Sequence, residues 1–360
     1  MAELKRFIVV HAKAQGLRPA AYQPVLDGID SDVDGEPRSW ATAWRASGEA
    51  LERAGRALDA SRRYVMARFP YVDGPARRDA QERYLRLFVR WAAAQRDVRP
   101  LEVRVGDAVV RCWTTGLSAA APRPLVLIMG GIVSVKEQWA PTLRLADRLG
   151  LAAVVTEMPG VGENALRYGP DSHRMISAVL DAVSDRADAS RTTALALSFS
   201  GHLALRCAVE DRRIAGIVTA GAPVSAFFTD RRWREGVPRL TTDTLAHLTG
   251  EPADALDDLL PALALTTDQL DALDVPVRCL VSGRDEVIPP DDARLLRDHV
   301  RDLRVQQNDD YHGSPRHVLD SRLWVVESLL RLTGGRGLRP ALVRGLRTLA
   351  RTWQPLTSDR

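Results

Sequence analysis

The hydrophobic positions of this chain follow two different periods, and the change falls near residue 100. Before it, large apolar side chains recur every three or four positions, as they do on one face of an α-helix. They include Trp40, Trp44, Leu51, Leu58, Tyr64, Phe69, Tyr84, Leu87, Phe88 and Trp91. Breaks at Gly35-Glu36-Pro37 and Gly74-Pro75 separate the helical stretches. The pattern predicts a helical cap domain over residues 1–100.

After residue 100 the apolar positions form short alternating or continuous runs, which predict β-strands. A hairpin around Gly106-Asp107 opens this region, and strands then alternate with helical stretches. Such alternation builds a mostly parallel twisted sheet with helices on both faces. The predicted fold class is therefore α/β over residues 101–334, and helical stretches within residues 223–272 are candidates for part of a lid.

The most informative stretch is residues 194–204, where an apolar strand-like run ends at Ser198 and a helix-like run follows. A strand that turns sharply into a helix strains the backbone of its serine, and the residues two before and two after must be small. Ala196 and Ser200 meet this requirement if Ser198 is the nucleophile. If Ser200 were the nucleophile, the bulky His202 would occupy a tight position. A buried strand followed by an ordinary helix is the alternative interpretation.

The partners of such a serine follow along the chain in the order that an α/β-hydrolase requires. Asp285 stands just beyond the strand-like run that contains Cys279, and His312 lies in a loop after the last predicted strand. A histidine takes the proton of the serine, and a carboxylate holds the histidine in the right tautomer. Each residue alone would pass for an ordinary turn or loop residue. Their order predicts Ser198, Asp285 and His312 as the catalytic set, with His317 as the alternative base.

Residues 125–132 predict an oxyanion hole. This apolar run enters the pair Gly130-Gly131, which lets the backbone turn its N–H groups toward a cleft. We predict that the backbone N–H groups of Ile132 and Phe199 are the donors. A second glycine-rich turn, at residues 157–162, lacks the Gly-Lys-Ser/Thr of a phosphate loop, so its expected role is to shape the cleft.

Together these motifs resemble one family of α/β-hydrolases. The segments that carry the resemblance are residues 130–137, 158–163, 194–204 and 283–289. They are similar to those of the fermentation-respiration switch protein and 2,6-dihydroxypseudooxynicotine hydrolase family, whose members have an N-terminal helical domain. This chain departs from the family where Ala196 and Ser200 replace the usual glycines of the elbow.

The resemblance implies an α/β-hydrolase fold with an N-terminal helical cap, and a serine-dependent, esterase-like acyl hydrolase of a small-molecule or polyketide-like metabolite. Because relatives process such metabolites by carbon–carbon cleavage or loss of an acyl group, elimination of acetate is the alternative reaction. A catalytically dead ligand-binding scaffold is the alternative from another class. Tyr84 and Trp91, on one face of the last cap helix, are candidates to line the pocket, with core packing as the alternative.

The positive charge of the chain is concentrated at its end. The formal net charge is +4, and seven arginines lie between Arg331 and Arg360 against one acid. Leucines recur at helical spacing between these arginines, at Leu338, Leu342, Leu346 and Leu349. The pattern predicts a basic amphipathic helix within a C-terminal segment, residues 335–360, and we expect its leucines to pack on the catalytic domain.

The remaining composition is that of an ordinary enzyme. Three cysteines, Cys112, Cys207 and Cys279, are widely spaced in apolar surroundings. We expect them to be buried and to pack as small hydrophobic side chains, without a disulfide or a metal site. No cofactor is expected. No apolar run approaches the roughly 18 residues of a membrane span, and the first residues are too brief for a signal peptide. We therefore expect a cytoplasmic protein with a small-molecule substrate, no nucleic-acid partner and no membrane insertion; the sequence leaves a homodimer open.

Overall fold

The helical N-terminal part has its own aromatic interior. The computed structural model describes residues 1–334 and 338–352. Its first helices are α1 (Ala2–Ala14), α2 (Pro19–Asp27), α3 (Trp40–Arg53), α4 (Ala57–Arg68) and α5 (Pro75–Ala93). Trp40, Trp44 and Tyr64 are fully buried, and Trp40 Nε1 donates to the carbonyl of Met66 at 2.8 Å. The apolar faces that the sequence pattern shows therefore pack α3 against α4 and α5.

A mostly parallel sheet follows. In the part of the chain that the structure describes, eight strands form one sheet in the order β1-β2-β4-β3-β5-β6-β7-β8. They are β1 (Arg99–Val105), β2 (Ala108–Thr115), β3 (Pro124–Met129), β4 (Ala152–Thr156), β5 (Asp188–Leu197), β6 (Ile214–Ala220), β7 (Val277–Ser282) and β8 (Leu303–Asn308). The pairings of β2 are antiparallel, and all other pairings are parallel. The carboxyl ends of β3 to β8 thus meet at one edge, and the predicted α/β class is confirmed.

Helices cover both faces of the sheet, and a helical insertion lies between β6 and β7. The helices before the insertion are α6 (Lys136–Trp139), α7 (Leu143–Arg148), α8 (Arg174–Asp181) and α9 (Phe199–Glu210). The insertion contains α10 (Ala226–Thr229), α11 (Arg231–Glu235), α12 (Arg239–Thr249), α13 (Leu256–Leu259) and α14 (Thr267–Asp271). The chain continues with α15 (Pro290–His299), α16 (Val318–Leu332) and α17 (Leu338–Thr352).

The cap and the sheet share one continuous apolar core. At one end of the sheet, the ring of Phe88 on α5 lies 5.1 Å from the ring of Trp113 on β2. At the opposite side of the cap, the carboxylate of Glu3 on α1 accepts hydrogen bonds from the backbone N–H groups of Arg239 and Leu240, at 3.2 and 2.8 Å. These N–H groups begin α12 and lack acceptors within their own helix. Helix α1 thereby joins the cap to the insertion.

In the part of α17 whose side chains the structure describes, arginines attach the helix to the rest of the protein. Arg344 Nε lies 2.9 Å from Glu327, and Arg347 Nε lies 2.8 Å from Asp320, both on α16. Leu342 and Leu346 are 64% and 57% exposed, so the expectation that these leucines pack on the domain is wrong. Glu327 and Asp320 are buried acids that require charged partners, which turns the arginine face of α17 inward.

Some of the predicted C-terminal features fall outside the described residues. These are residues 335–337 and 353–360, and the side chains of Leu338 and Leu349. Cys112, Cys207 and Cys279 are all buried free thiols, as their apolar surroundings predict. None of the helices that the structure describes has the length and apolar character needed to cross a membrane.

Candidate active site

Ser198 occupies a strained turn between β5 and α9. Its φ and ψ are 58° and −130°, a region that side-chain-bearing residues rarely adopt. The backbone N–H of Ser198 donates to Ala220 on β6 at 2.8 Å, and its carbonyl accepts from Gly201 at 2.7 Å. A Cβ atom at position 201 would lie 2.1 Å from Oγ1 of Thr219, so only glycine fits beside the strand there. The turn therefore has the sharp strand-to-helix form that the sequence predicts.

The structure brings together the three residues predicted to be catalytic. Ser198 Oγ lies 3.0 Å from Nε2 of His312. The other ring nitrogen, Nδ1, lies 3.0 and 2.9 Å from the two carboxylate oxygens of Asp285. Oδ1 of Asp285 also accepts from the backbone N–H groups of Val287 and Ile288, which fixes the carboxylate. With Nδ1 donating to Asp285, Nε2 is free to accept the serine proton.

Gly221, just after β6, makes room for this histidine and acid. Its φ is +59°, and a Cβ atom there would lie 2.8 Å from Cε1 of His312 and 3.4 Å from Oδ2 of Asp285. A side chain at this position would displace the pair from the serine. Gly221 was not among the predicted site residues, although a glycine directly after an apolar strand run was a usable signal.

The surroundings of His312 favour its charged form. Burial lowers the pKa of His312, but the charge and hydrogen bond of Asp285, and then the charge of Glu286, raise it. The net result is a pKa above the ordinary value of 6.5. A base held this way has a strong drive to accept a proton, provided that it starts in the neutral form.

The alternative residues have other partners. Ser200 is buried, and its hydroxyl lies within hydrogen-bond distance of the carbonyls of Met129 and Leu197, at 3.1 and 2.9 Å. His317 stands at the start of α16, where Nδ1 lies 3.2 Å from Oδ2 of Asp310. The geometry therefore favours Ser198 over Ser200 and His312 over His317.

The loop after β3 lies directly against the serine. A Cβ atom at Gly131 would stand 3.1 Å from Cβ of Ser198, so the absent side chain allows this close approach. Phe199 is the first residue of α9, where N–H groups point along the helix axis without an intrahelical acceptor. Neither its N–H nor that of Ile132 donates to another described residue. Both N–H groups are therefore without an acceptor among the described residues, and their role as an oxyanion hole stays a prediction.

Tyr84 and Trp91 have packing roles in this structure. Tyr84 is fully buried, and its carbonyl accepts from Oγ of Ser61 at 3.1 Å. Burial, followed by the charges of Glu137 and Glu157, raises the pKa of Tyr84 well above its ordinary value. The ring of Trp91 lies 5.0 Å from that of Phe88, within the cluster at the β2 end of the sheet. Both side chains pack within these interiors, which is the alternative that the sequence left open. A role of Tyr84 and Trp91 in lining the pocket stays a prediction.

Cap residues that were not among the predicted site residues lie near His312. The ring of His11 on α1 is 5.3 Å from that of Phe69, and Cγ1 of Val10 would lie 2.9 Å from a Cβ atom at Gly313. Burial and the charges of Arg68 and His312 lower the pKa of His11 to about 4, so this imidazole is neutral at physiological pH. Helix α1 therefore adds a second, neutral histidine to the region of the site.

A buried ion cluster supports the loop after β3. Lys136 Nζ lies 3.0 Å from Glu137, 3.1 Å from Glu157 and 2.7 Å from Glu163. The carboxylate of Glu157 also accepts from the backbone N–H groups of Lys136 and Glu163. A Cβ atom at Gly162 would lie 2.4 Å from this carboxylate. The glycine-rich turn at residues 157–162 thus encloses an acid that anchors the neighbouring loop.

A cavity of about 260 Å³ borders Asp285 and Gly221. Its walls come largely from β7, α15 and the loop between them, including Cys279, Leu296 and Ile288. Neither Ser198 nor His312 lines it, so this cavity is not the cleft in which the serine would meet a substrate.

The strained serine turn, the histidine–acid pair and the mostly parallel sheet define the class of the protein as an α/β-hydrolase. The family model described as Esterase FrsA-like matches residues 42–327, and the chain belongs to this family. The family predicted from the sequence motifs is confirmed.

Individual relatives agree with this assignment. Over 171 residues the chain is 26% identical to the Esterase FrsA of Vibrio cholerae serotype O1; the match covers 46% of this chain and only 39% of that protein. Among solved structures, wild-type AbyA5 is 50% identical, with a TM-score of 0.93 over 97% of this chain and 99% of the other. The 2,6-dihydroxy-pseudo-oxynicotine hydrolase has a TM-score of 0.71 at 18% identity, over 92% and 97%, and shows the fold alone.

Proposed function

We propose that the protein is a serine-dependent acyl hydrolase that acts as an esterase on a small-molecule metabolite. The observation that carries the proposal is the 3.0 Å contact between Oγ of Ser198 and Nε2 of His312, with Asp285 on the other ring nitrogen. The membership of the chain in a family of FrsA-like esterases supports the same reaction class.

In the proposed reaction, Oγ of Ser198 attacks the acyl carbonyl while His312 takes the hydroxyl proton. The negative charge on the former carbonyl oxygen is stabilised by the N–H groups of Phe199 and Ile132. Collapse of this intermediate breaks the C–O bond, and the departing alcohol takes the proton from His312. Water, activated by the same histidine, then hydrolyses the acyl-serine to give the free acid.

The contacts of the cap with the loops of the proposed site favour a small substrate. Helix α1 packs beside Gly313, and Arg68 on α4 donates to the carbonyl of Val133 in the loop after β3, at 3.0 Å. The cap therefore contacts both loops that supply the proposed chemistry. A cover of this kind limits access to compact molecules and excludes water from the reacting groups, which suits a polyketide-like metabolite.

A second candidate reaction is elimination of an acyl group such as acetate, and the position of His11 favours it. His312 would take a proton from carbon, its electron pair would form the double bond, and the C–O bond to the acyl group would break. In this reaction the imidazole of His11, which is neutral, would donate a hydrogen bond to the departing carboxylate. Carbon–carbon bond cleavage is a further variant. Hydrolysis yields an acid and an alcohol, whereas elimination yields an acid and an alkene.

The decisive experiment uses a fluorophosphonate probe, followed by mapping of the labelled peptide and a screen of acyl esters of varied size. We expect the probe on Ser198, and its loss together with turnover in Ser198→Ala. Alanine retains the Cβ atom, so it introduces no new backbone strain at the turn.

The matched control is Ser200→Ala, which removes a buried hydroxyl two residues further along the chain. This variant should keep its label and most of its turnover. Labelling that persists in Ser198→Ala and vanishes in Ser200→Ala would transfer the role to Ser200. A wild-type protein without labelling, ester hydrolysis or acyl elimination would instead support the ligand-binding scaffold.

A further inference from the structure

Two adjacent carboxylates hold two different parts of His312. Asp285 binds the ring at Nδ1, whereas Oε2 of Glu286 accepts the backbone N–H of His312 at 3.0 Å. The other oxygen of Glu286, Oε1, lies 3.5 Å from Nη2 of Arg6 on α1. The side chain of Glu286 is 20% exposed, so this hydrogen bond is largely shielded from water. A charge-assisted bond to the backbone fixes the point from which the imidazole extends.

The loop that carries His312 needs such support, because its backbone makes an unusual turn. Gly313 and Ser314 have φ values of 78° and 49°, and the N–H of Ser314 donates to the carbonyl of Tyr311 at 2.9 Å. A displacement of the imidazole by about 1 Å would take Nε2 out of hydrogen-bond reach of the serine and reduce the rate about a hundredfold. The hydrogen bond at the His312 N–H therefore helps to fix the distance between Nε2 of His312 and Oγ of Ser198.

Helix α1 supplies the second support of the same loop. Val10 packs on Gly313, and Nζ of Lys13 donates to the carbonyl of Pro315 at 3.1 Å. The end of α1 is in turn held by Nη2 of Arg322 on α16, which donates to the carbonyl of Lys13 at 3.2 Å. Together with Arg6, these contacts place α1 along the whole turn that follows β8.

We propose that Glu286 is a positioning residue that holds His312 in its reactive geometry. We also propose that helix α1 must dock on the loop after β8 for this general base to be placed correctly. The proposal rests on the proposed function, since it takes His312 as the base. In this proposal the cap helps to place the catalytic histidine in addition to covering the substrate.

Two charge changes separate the geometric and the electrostatic parts of this role. The charged and titratable groups that act on His312 are Asp285 and Glu286 from the loop after β7 and His11 from α1. Arg6 on α1 pairs with Glu286, and Arg68 on α4 acts on His11. In the loop of His312 itself, the carboxylate of Asp310 contacts Nδ1 of His317. Glu286→Gln keeps an oxygen that accepts the His312 N–H but removes the negative charge, and Glu286→Ala removes both.

The test measures kcat, KM and the pH profile of the full-length protein on its best acyl ester, and the pKa of His312 by NMR of the imidazole. Glu286→Ala should lower kcat by roughly tenfold to a hundredfold with little change in KM. Glu286→Gln should recover most of kcat at alkaline pH and lower the pKa of His312 by roughly half a unit to one unit. Arg6→Gln removes a nearby positive charge and should shift the same pKa upward by a smaller amount.

The matched control is Asp309→Asn, which removes an exposed carboxylate of the same loop that pairs with Arg284 and does not contact His312. It should leave kcat and the pH profile unchanged. Wild-type kcat in Glu286→Ala would overturn the positioning role, and an unchanged His312 pKa in Glu286→Gln would overturn the electrostatic part. If Glu286→Ala does not fold, Glu286→Met takes its place, because it fills a similar volume without an oxygen that could accept the His312 N–H. The NMR titration is independent of turnover, so it tests the charge of Glu286 even if the protein proves not to be an esterase.

Discussion

At the scale of single residues, the two histidines after β8 differ in what each can reach. His312 bridges Ser198 and Asp285, whereas His317 pairs with the fully buried Asp310. His312→Ala should therefore reduce kcat on an acyl ester by several orders of magnitude. His317→Ala should retain most of kcat, because Asp310 keeps its bonds to the N–H groups of Tyr311 and Arg316. Comparable losses in both variants, measured on folded protein, would contradict the assignment of the base.

The raised pKa of His312 has opposite consequences for activity and stability. The proposed base works in its neutral form, so kcat/KM should fall as pH falls through a value above 6.5. For stability the sign reverses, because a folded-state pKa above the unfolded value favours the protonated form. This contribution is fully present below the unfolded pKa and is lost as pH rises through the folded pKa.

The free energy of unfolding in urea, measured at about pH 6 and at about pH 8, checks this effect on stability. The wild-type protein should lose more stability than His312→Ala over that interval. An equal loss in both proteins would remove His312 as the source.

A site residue could be predicted when the residues next to it in the sequence carry the signal. Ser198 and Asp285 each follow a strand run, and a strand end is readable from a few neighbouring residues. Glu286 and Arg68 act through contacts that become visible only after folding, since their partners are His312 and Val133. Nothing in the residues around Arg68 distinguishes it from the other arginines of α4.

At the scale of elements, the last residue of α4 connects the cap to the proposed oxyanion loop. Arg68 is 2% exposed; Nη1 donates to the carbonyl of Pro70 at 2.7 Å, and Nη2 donates to that of Val133 at 3.0 Å. Burial lowers the pKa of Arg68 and the charges of Tyr84, Glu157 and Glu137 counteract it. Because Val133 follows Ile132, this guanidinium holds the backbone beside a proposed oxyanion donor.

Arg68→Met should leave the carbonyl of Val133 without its donor and lower kcat on an acyl ester by roughly tenfold, with a smaller change in KM. The matched control is Arg63→Met on the same helix. Arg63 is also buried, but it lies over the ring of Trp44, 6.0 Å from its centroid. This control removes a buried guanidinium that makes no contact with the loop after β3, so it should leave kcat unchanged. Equal effects of the two substitutions on kcat would show that Arg68 acts only through the stability of the cap.

The elements themselves were predictable where one face is apolar. The helical period marks α3, α4 and α5, and the alternating run around Gly106 marks β1 and β2. The orientation of α17 was not predictable in this way. Its partners are Glu327 and Asp320, which read as ordinary surface acids of α16 until that helix is seen packed on the sheet. Satisfying a buried carboxylate outweighed burial of two leucines.

At the scale of the whole molecule, the cap and the sheet depend on each other for burial. The fully buried Phe88 of α5 packs on Trp113 of the sheet, and Ile8 of α1 belongs to the core that also contains strand residues. The contacts of α1 with α12 and with the loop of His312 lie at the edge where the parallel strands end. The cap is thus both a wall of the apolar core and a neighbour of the proposed chemistry.

Removal of residues 1–95 should therefore either destroy solubility or change the selectivity among acyl esters. The truncated chain would expose the apolar surface that Phe88 now covers on Trp113, and large exposed apolar patches promote aggregation. It would also free Gly313 and the N-terminus of α12 from their contacts with α1. Size-exclusion chromatography and kcat/KM for short and long acyl esters provide the measurement. A soluble, monodisperse truncated protein with unchanged kcat/KM on its best ester would show that the cap neither completes the core nor helps to form the site.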